Sequence, residues 1–99
     1  MRICWTEPAA TALERIQDYI ANENPRAAFE VAQRIRIAVS HLEEHPKVGR
    51  VGQIRGTYEL VIHDLPYIVP YRIKKNEVQI LSVYHTSRKW PEAFDQESS

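Results

Sequence analysis

The feature that most constrains this chain is a change of period at His45-Pro46. Before it, apolar residues recur at helical spacing. After it, they fall into short runs rich in β-branched and aromatic residues, separated by Gly, Pro, Asn and Asp. Helices first and strands second predict an α+β domain rather than an alternating α/β one.

In the helical half, Ala9, Leu13, Ile16 and Ile20 form one apolar stripe, with Glu14, Arg15, Gln17 and Asp18 on the other side. Thr6 is placed to cap this helix, and Pro8 sits in its first turn, where a missing N–H costs nothing. Asn24 and Pro25 are the cap and first residue of a second helix, which runs to about Glu44 and carries Ala28, Val31, Ala32, Ile35, Val39 and Leu42 on its apolar side. A connection of about four residues folds the two helices back as an antiparallel hairpin. His45-Pro46 ends the second helix.

Arg2-Ile3-Cys4-Trp5 reads as a first strand. Lys47–Gly52 reads as a loop, and the spacing of Gly49 and Gly52 matches neither nucleotide-binding pattern. The strands expected after it are Gln53–Arg55, Tyr58–His63, Tyr67–Ile73 and Glu77–His85, with turns at His63–Pro66 and Lys74–Asn76. The last of these, the most apolar, is expected at the centre. Pro70 removes a backbone donor from the third, which predicts a bulge or a free edge there. The expected architecture is therefore α+β: an N-terminal strand and an antiparallel two-helix hairpin packed on a twisted antiparallel sheet of about four strands. Residues 1–91 make one domain, and residues 92–99 an acidic tail.

Net charge is zero, but unevenly spread. Residues 1–46 carry five Arg against seven acidic residues, residues 47–90 carry eight basic against three acidic, and the tail carries three acidic residues. The basic strand half suits an acidic protein surface or a phosphate backbone, and equally a solvated mixed-charge surface. No apolar run is long enough to span a bilayer, so no membrane association is expected. The N-terminus leaves no room for a secretory signal and a lone cysteine makes no internal disulfide, which together point to the cytoplasm. Cys4 reads as a small core residue. The four histidines are not at ligand spacing, so neither a metal nor a cofactor is expected.

In this order and in under a hundred residues, several phrases resemble the RelE/ParE superfamily of bacterial toxins. They are Ile16-Gln17-Asp18-Tyr19-Ile20, Asn24-Pro25-Arg26-Ala27-Ala28, His45-Pro46 with Gly49-Arg50, and Arg55-Gly56-Thr57-Tyr58-Glu59-Leu60. Pro66-Tyr67-Ile68-Val69, Tyr71-Arg72-Ile73, and Val83-Tyr84-His85 through Arg88-Lys89-Trp90-Pro91 continue the series. The resemblance implies a toxin silenced by a cognate antitoxin, itself a DNA-binding protein through which the pair reaches operator DNA. It implies one of two targets, since RelE-like members cleave mRNA in the ribosome and ParE-like members poison DNA gyrase. An inactive member, kept for antitoxin binding and operon regulation, is a third reading.

For a nuclease, His85 has the pKa range for base or acid work, and Arg72 and Arg55 can surround a phosphate. For a target- or nucleic-acid-binding surface the candidates are Arg50, Arg88, Lys89, Tyr84 and Trp90. Each has a structural alternative. His85 reads equally as a buried, hydrogen-bonded histidine, Arg72 as a cross-strand partner of Glu59, Arg50 as a donor to its own loop, and Trp90 as a seal on the core. Neutral charge and the closing His, Arg and Trp-Pro phrase tip the resemblance toward the ParE-like mode.

Overall fold

The computed structural model describes residues 1–87. Strand β1 (Arg2–Trp5) leads into helix α1 (Glu7–Ala21) and helix α2 (Pro25–Ser40), with a single 3-10 turn at His41–Glu43. The strands that follow are β2 (Arg50–Val51), β3 (Tyr58–Val61), β4 (Tyr67–Lys74), β5 (Glu77–Ile80) and β6 (Tyr84–His85). The expected tail, and the expectations for Arg88, Lys89 and Trp90, lie outside the described residues.

Both helices begin where the sequence places their caps. The Thr6 hydroxyl accepts the N–H of Ala9, and it also donates to the carbonyl of Ile80 at 2.6 Å, so one side chain starts α1 and ties it to β5. Asn24 accepts the N–H of Ala27, and Pro25 follows in the first turn. The buried stripes hold Ala9 and Leu13 from α1 and Ala28, Ala32, Ile35 and Val39 from α2. Three of these six are alanines, which lets the backbones approach closely.

The sheet runs β1-β5-β4-β3-β2, with β6 paired to β4. It is mixed: β1 lies parallel to β5, and the other pairings are antiparallel. A parallel pair needs a long crossover, and here everything from α1 to β4 lies between the two strands. Register assigns the faces, because directly paired residues point the same way. Tyr58, Tyr71, Ile80 and Trp5 form one row, and Ile73, Val78 and Ile3 another. These rows face the helices and pack with Leu13, Ile35, Val39 and Leu42. The alternate residues form the far face.

Three strand boundaries differ from expectation. Gln53–Arg55 is a turn rather than a strand, and the pairing residues are Arg50 and Val51. Gly56, with φ at 82°, takes the left-handed position that a type II turn requires, and the Thr57 N–H closes that turn on the Ile54 carbonyl. Strand β3 stops at Val61, because Asp64 adopts a positive φ of 65° in the following turn. The expected Glu77–His85 strand is two strands, broken over residues 81–83. The break lies opposite Pro70: β4 pairs Tyr71 with Ile80 on one side of it and Ile68 with Tyr84 on the other. Three steps along β4 thus face four along its partner, which is the expected bulge, carried by the partner strand. The Lys75-Asn76 turn is where the sequence puts it, with φ at 54° and 61° as a two-residue hairpin turn demands.

Among the described residues Tyr71 is the largest fully buried side chain. Its ring stacks on Tyr58 with centroids 5.4 Å apart, and its hydroxyl accepts the Gly49 N–H at 3.0 Å. A Cβ at Gly49 would lie 2.7 Å from that hydroxyl and 2.8 Å from the Glu59 carbonyl oxygen. Gly49→Ala is therefore expected to cost about 1–3 kcal/mol through overpacking, read as a lower urea midpoint at unchanged slope. An unmoved midpoint would mean that the loop yields freely.

Burial raises the Tyr71 phenol above its ordinary 10.0, against the lowering effect of the Gly49 N–H, and Tyr58 adds to the rise. Burial, then Tyr19, raises Tyr67. The folded chain holds these protons more tightly than the unfolded chain, so their contribution is complete below about pH 10 and is lost as pH rises beyond it. Thermal melts at increasing alkaline pH should fall along with the appearance of tyrosinate absorbance. Full tyrosinate absorbance from an intact, equally stable fold would contradict this.

Candidate functional site

The far face of the sheet carries the polar chemistry. Pairing places Arg2, Glu77 and Lys74 in one row, Cys4, Gln79 and Arg72 in the next, and Arg50, Glu59 and Pro70 further along. Tyr84 joins this face through its pairing with Ile68.

Glu59 stands apart from the rest. Among the described residues it is the one buried charged side chain, only 2 % exposed. Its Oε1 accepts the Arg50 Nε at 2.9 Å, and its Oε2 accepts the Tyr84 hydroxyl at 3.4 Å. Arg50 comes from β2, Glu59 from β3 and Tyr84 from β6, so the carboxylate gathers three strands. Burial raises the Tyr84 phenol, the Glu59 charge and hydrogen bond add to that rise, and Arg50 opposes it.

The other two arginines of this face also have partners on the sheet. Arg72 donates through Nε to Gln79 at 2.7 Å, and Gln79 in turn donates to Glu77 at 2.9 Å. Arg2 closes the chain with a 2.9 Å ion pair to the second Glu77 oxygen. Gln79, then Arg2, hold the Glu77 carboxyl below its ordinary range. Arg72 therefore pairs with Gln79 and not with Glu59, because β4 meets β5 at that position. Arg50 pairs with Glu59 rather than with loop carbonyls, because it is a strand residue directly opposite.

His85 lies elsewhere. It is paired with Tyr67, whose side chain faces the helices, and the two rings meet edge to face at 5.5 Å. The Ser87 backbone N–H donates to His85 Nδ1 at 3.1 Å, so Nδ1 is an acceptor and a neutral ring carries its proton on Nε2. The Ser87 hydroxyl adds a second contact to Nδ1 at 2.8 Å. Arg55 is exposed at the tip of the Ile54–Thr57 turn. The three residues expected to serve a nuclease thus occupy the helix side of the sheet (His85), its far face (Arg72) and a turn (Arg55), and are not brought together. Of the expected binding residues, Arg50 and Tyr84 meet at Glu59, while Arg88, Lys89 and Trp90 lie outside the described residues.

Glu59 is the residue that sequence reasoning weighed only as a partner for Arg72. A polar residue between Tyr58 and Leu60 reads as the solvent side of an amphipathic strand. The signal that finds it is the Arg50–Glu59 spacing across a hairpin, legible only once the Ile54–Thr57 turn is assigned.

The chain matches, over residues 3–90, the family model described as "ParE toxin of type II toxin-antitoxin system, parDE". It is 47% identical over 93 residues to "Putative toxin Y4kP" of Sinorhizobium fredii, covering 94% of this chain and 96% of that protein. It is 33% identical over 87 residues to "Toxin RelE2" of Caulobacter vibrioides, covering 88% and 97%. Among solved structures it resembles a chain of the chromosomal ParDE toxin–antitoxin system of P. aeruginosa, with TM-score 0.80, 30% identity, and 86% and 95% of the two chains covered. The isolated E. coli RelE toxin shares the fold at TM-score 0.65 and 14% identity, with 98% and 94% covered. With two helices on a mixed sheet and a family match over nearly its whole length, the chain belongs to the ParE toxin family of type II toxin–antitoxin systems.

Proposed function

We propose that this toxin arrests growth by binding DNA gyrase, in the ParE-like mode, and that a cognate antitoxin silences it by binding the same chain. The observation that carries the reading is the arrangement of the far face. Its arginines are held by Glu59, Gln79 and Glu77, and the histidine that RNA cleavage calls for lies on the other side of the sheet. Cleavage through a 2′-hydroxyl needs a base, an acid and cations converging on one phosphate. A surface that only binds a protein needs no such convergence.

The neutral net charge supports the same reading, since gripping ribosomal RNA gains with each phosphate neutralised. The P. aeruginosa ParDE likeness supports an antitoxin partner, and a DNA-binding antitoxin would carry the pair to operator DNA. No helix among the described residues is long and apolar enough to cross a membrane, which accords with action in the cytoplasm. The alternative, RelE-like cleavage of mRNA in the ribosome, draws on the RelE2 relative.

Two measurements test the choice. Purified toxin is expected to inhibit gyrase supercoiling, and its pulsed expression without antitoxin to leave mRNA 5′ ends unchanged within translated codons. His85→Ala is expected to retain growth inhibition to within about threefold, because no step of binding runs through the imidazole. New translation-dependent 5′ ends, abolished by His85→Ala, would establish the nuclease instead. Folded, abundant protein in healthy cells would identify an inactive member kept for regulation.

A further inference from the structure

A carboxylate at 2 % exposure is expensive to keep charged, and an apolar residue of similar volume is often no less stable in such a place. The Glu59–Arg50 pair is also lopsided. The glutamate side chain is buried, whereas the arginine side chain is 59% exposed. Arg50 spends Nε on Glu59, and its two terminal nitrogens have no partner among the described residues. An Nε contact of this kind fixes the guanidinium plane while leaving the outer fork open. Tyr84 bonds the other carboxylate oxygen, which stops the glutamate from rotating away.

We propose that Glu59 is a positioning residue of the target-binding face: it holds the Arg50 guanidinium so that the open fork receives a side-chain carboxylate of the protein target. This rests on the reading of the chain as a toxin that acts by binding. The face suits a protein carboxylate better than a nucleic acid. Glu59 and Glu77 sit among its cations, and Arg2 is paired with Glu77. A phosphate backbone gains by neutralisation at many points, whereas one oriented arginine suits one planar carboxylate.

A double-mutant cycle tests the proposal. Arg50→Ala, Glu59→Gln and the double variant are compared for the intracellular toxin level that arrests growth, at matched amounts of folded protein. Arg50→Ala is expected to raise that level roughly tenfold, and Glu59→Gln roughly three- to tenfold. The double variant should be no worse than Arg50→Ala, because Glu59 acts through Arg50. Arg50→Lys keeps a charge beside Glu59 but loses the fork; it should melt close to the wild type and yet lose about as much potency as Arg50→Ala.

Full potency in Arg50→Ala or Arg50→Lys overturns the contact. Additive losses in the double variant, or full potency of Glu59→Gln at matched folded protein, reduce Glu59 to a structural residue and overturn its positioning role. If Arg50→Ala instead lowers the salt dependence of binding to naked DNA or RNA by about one contact, the ligand is phosphate and the proposal falls. Growth arrest without inhibition of purified gyrase refutes the gyrase reading alone, because the cycle in cells does not presuppose which target is bound.

Discussion

Proline at position 70, in the strand that pairs with three others, governs which side chains face which way at the end of the described chain. The Leu81 N–H bonds to the Pro70 carbonyl, so the edge of Pro70 that lacks a donor also points toward the β5–β6 segment. A regular ladder there would leave an acceptor unmet. The chain answers with one extra residue between Ile80 and Tyr84, and that single insertion reverses the alternation that follows. Continued in the β5 register, Tyr84 would stand opposite Tyr67 and face the helices, and His85 would face away. Through the bulge, Tyr84 turns to the far face and reaches Glu59, while His85 turns inward onto Tyr67. The separation of Tyr84, beside Glu59, from the half-buried His85 imidazole on the other side of the sheet thus follows from one missing N–H.

Much of the fold was legible because its signals are local. Thr6, Asn24 and Pro25 cap and open helices wherever they stand before an apolar stripe, and the Lys75-Asn76 turn needs only residues that tolerate a positive φ. The errors came where a local signal had two meanings. Gly49 and Gly52 flank a true strand pair at Arg50–Val51, but glycines three apart read as a loop. Gly49 is there for a different reason, the close approach of Tyr71, whose position depends on a strand more than twenty residues away. The parallel pairing of β1 with β5 is beyond local reading altogether, since it joins residues some 75 apart.

The candidate site was legible in composition and illegible in arrangement. Basic residues concentrate in the strand half, as counted. Which of them meet depends on register, and register depends on the bulge and on the short β2. Arg72 and Glu59 were natural partners by charge, but the antiparallel ladder puts Gln79 opposite Arg72 and gives Glu59 to Arg50. A one-residue slip in either ladder would turn these side chains to the opposite face, and Glu59 would meet Arg72 only after a two-residue slip of β3 along β4.

The fold is shared with the isolated E. coli RelE toxin as well as with the P. aeruginosa ParDE chain, so architecture alone leaves function open. Phosphate chemistry would need the cations of the sheet to be available rather than committed to the sheet itself. Here Glu77 and Gln79 tie Arg2 and Arg72 into a chain across β1, β5 and β4, and Glu59 claims one edge of Arg50. Desolvating Glu59 has a free-energy cost that its Arg50 and Tyr84 contacts offset, and an apolar residue would have avoided it. Keeping the carboxylate makes physical sense where an arginine must hold one orientation on an exposed strand edge, because an unbraced guanidinium samples many rotamers and loses more entropy on binding. On that argument the proposed binding surface includes the buried acid as well as the exposed base.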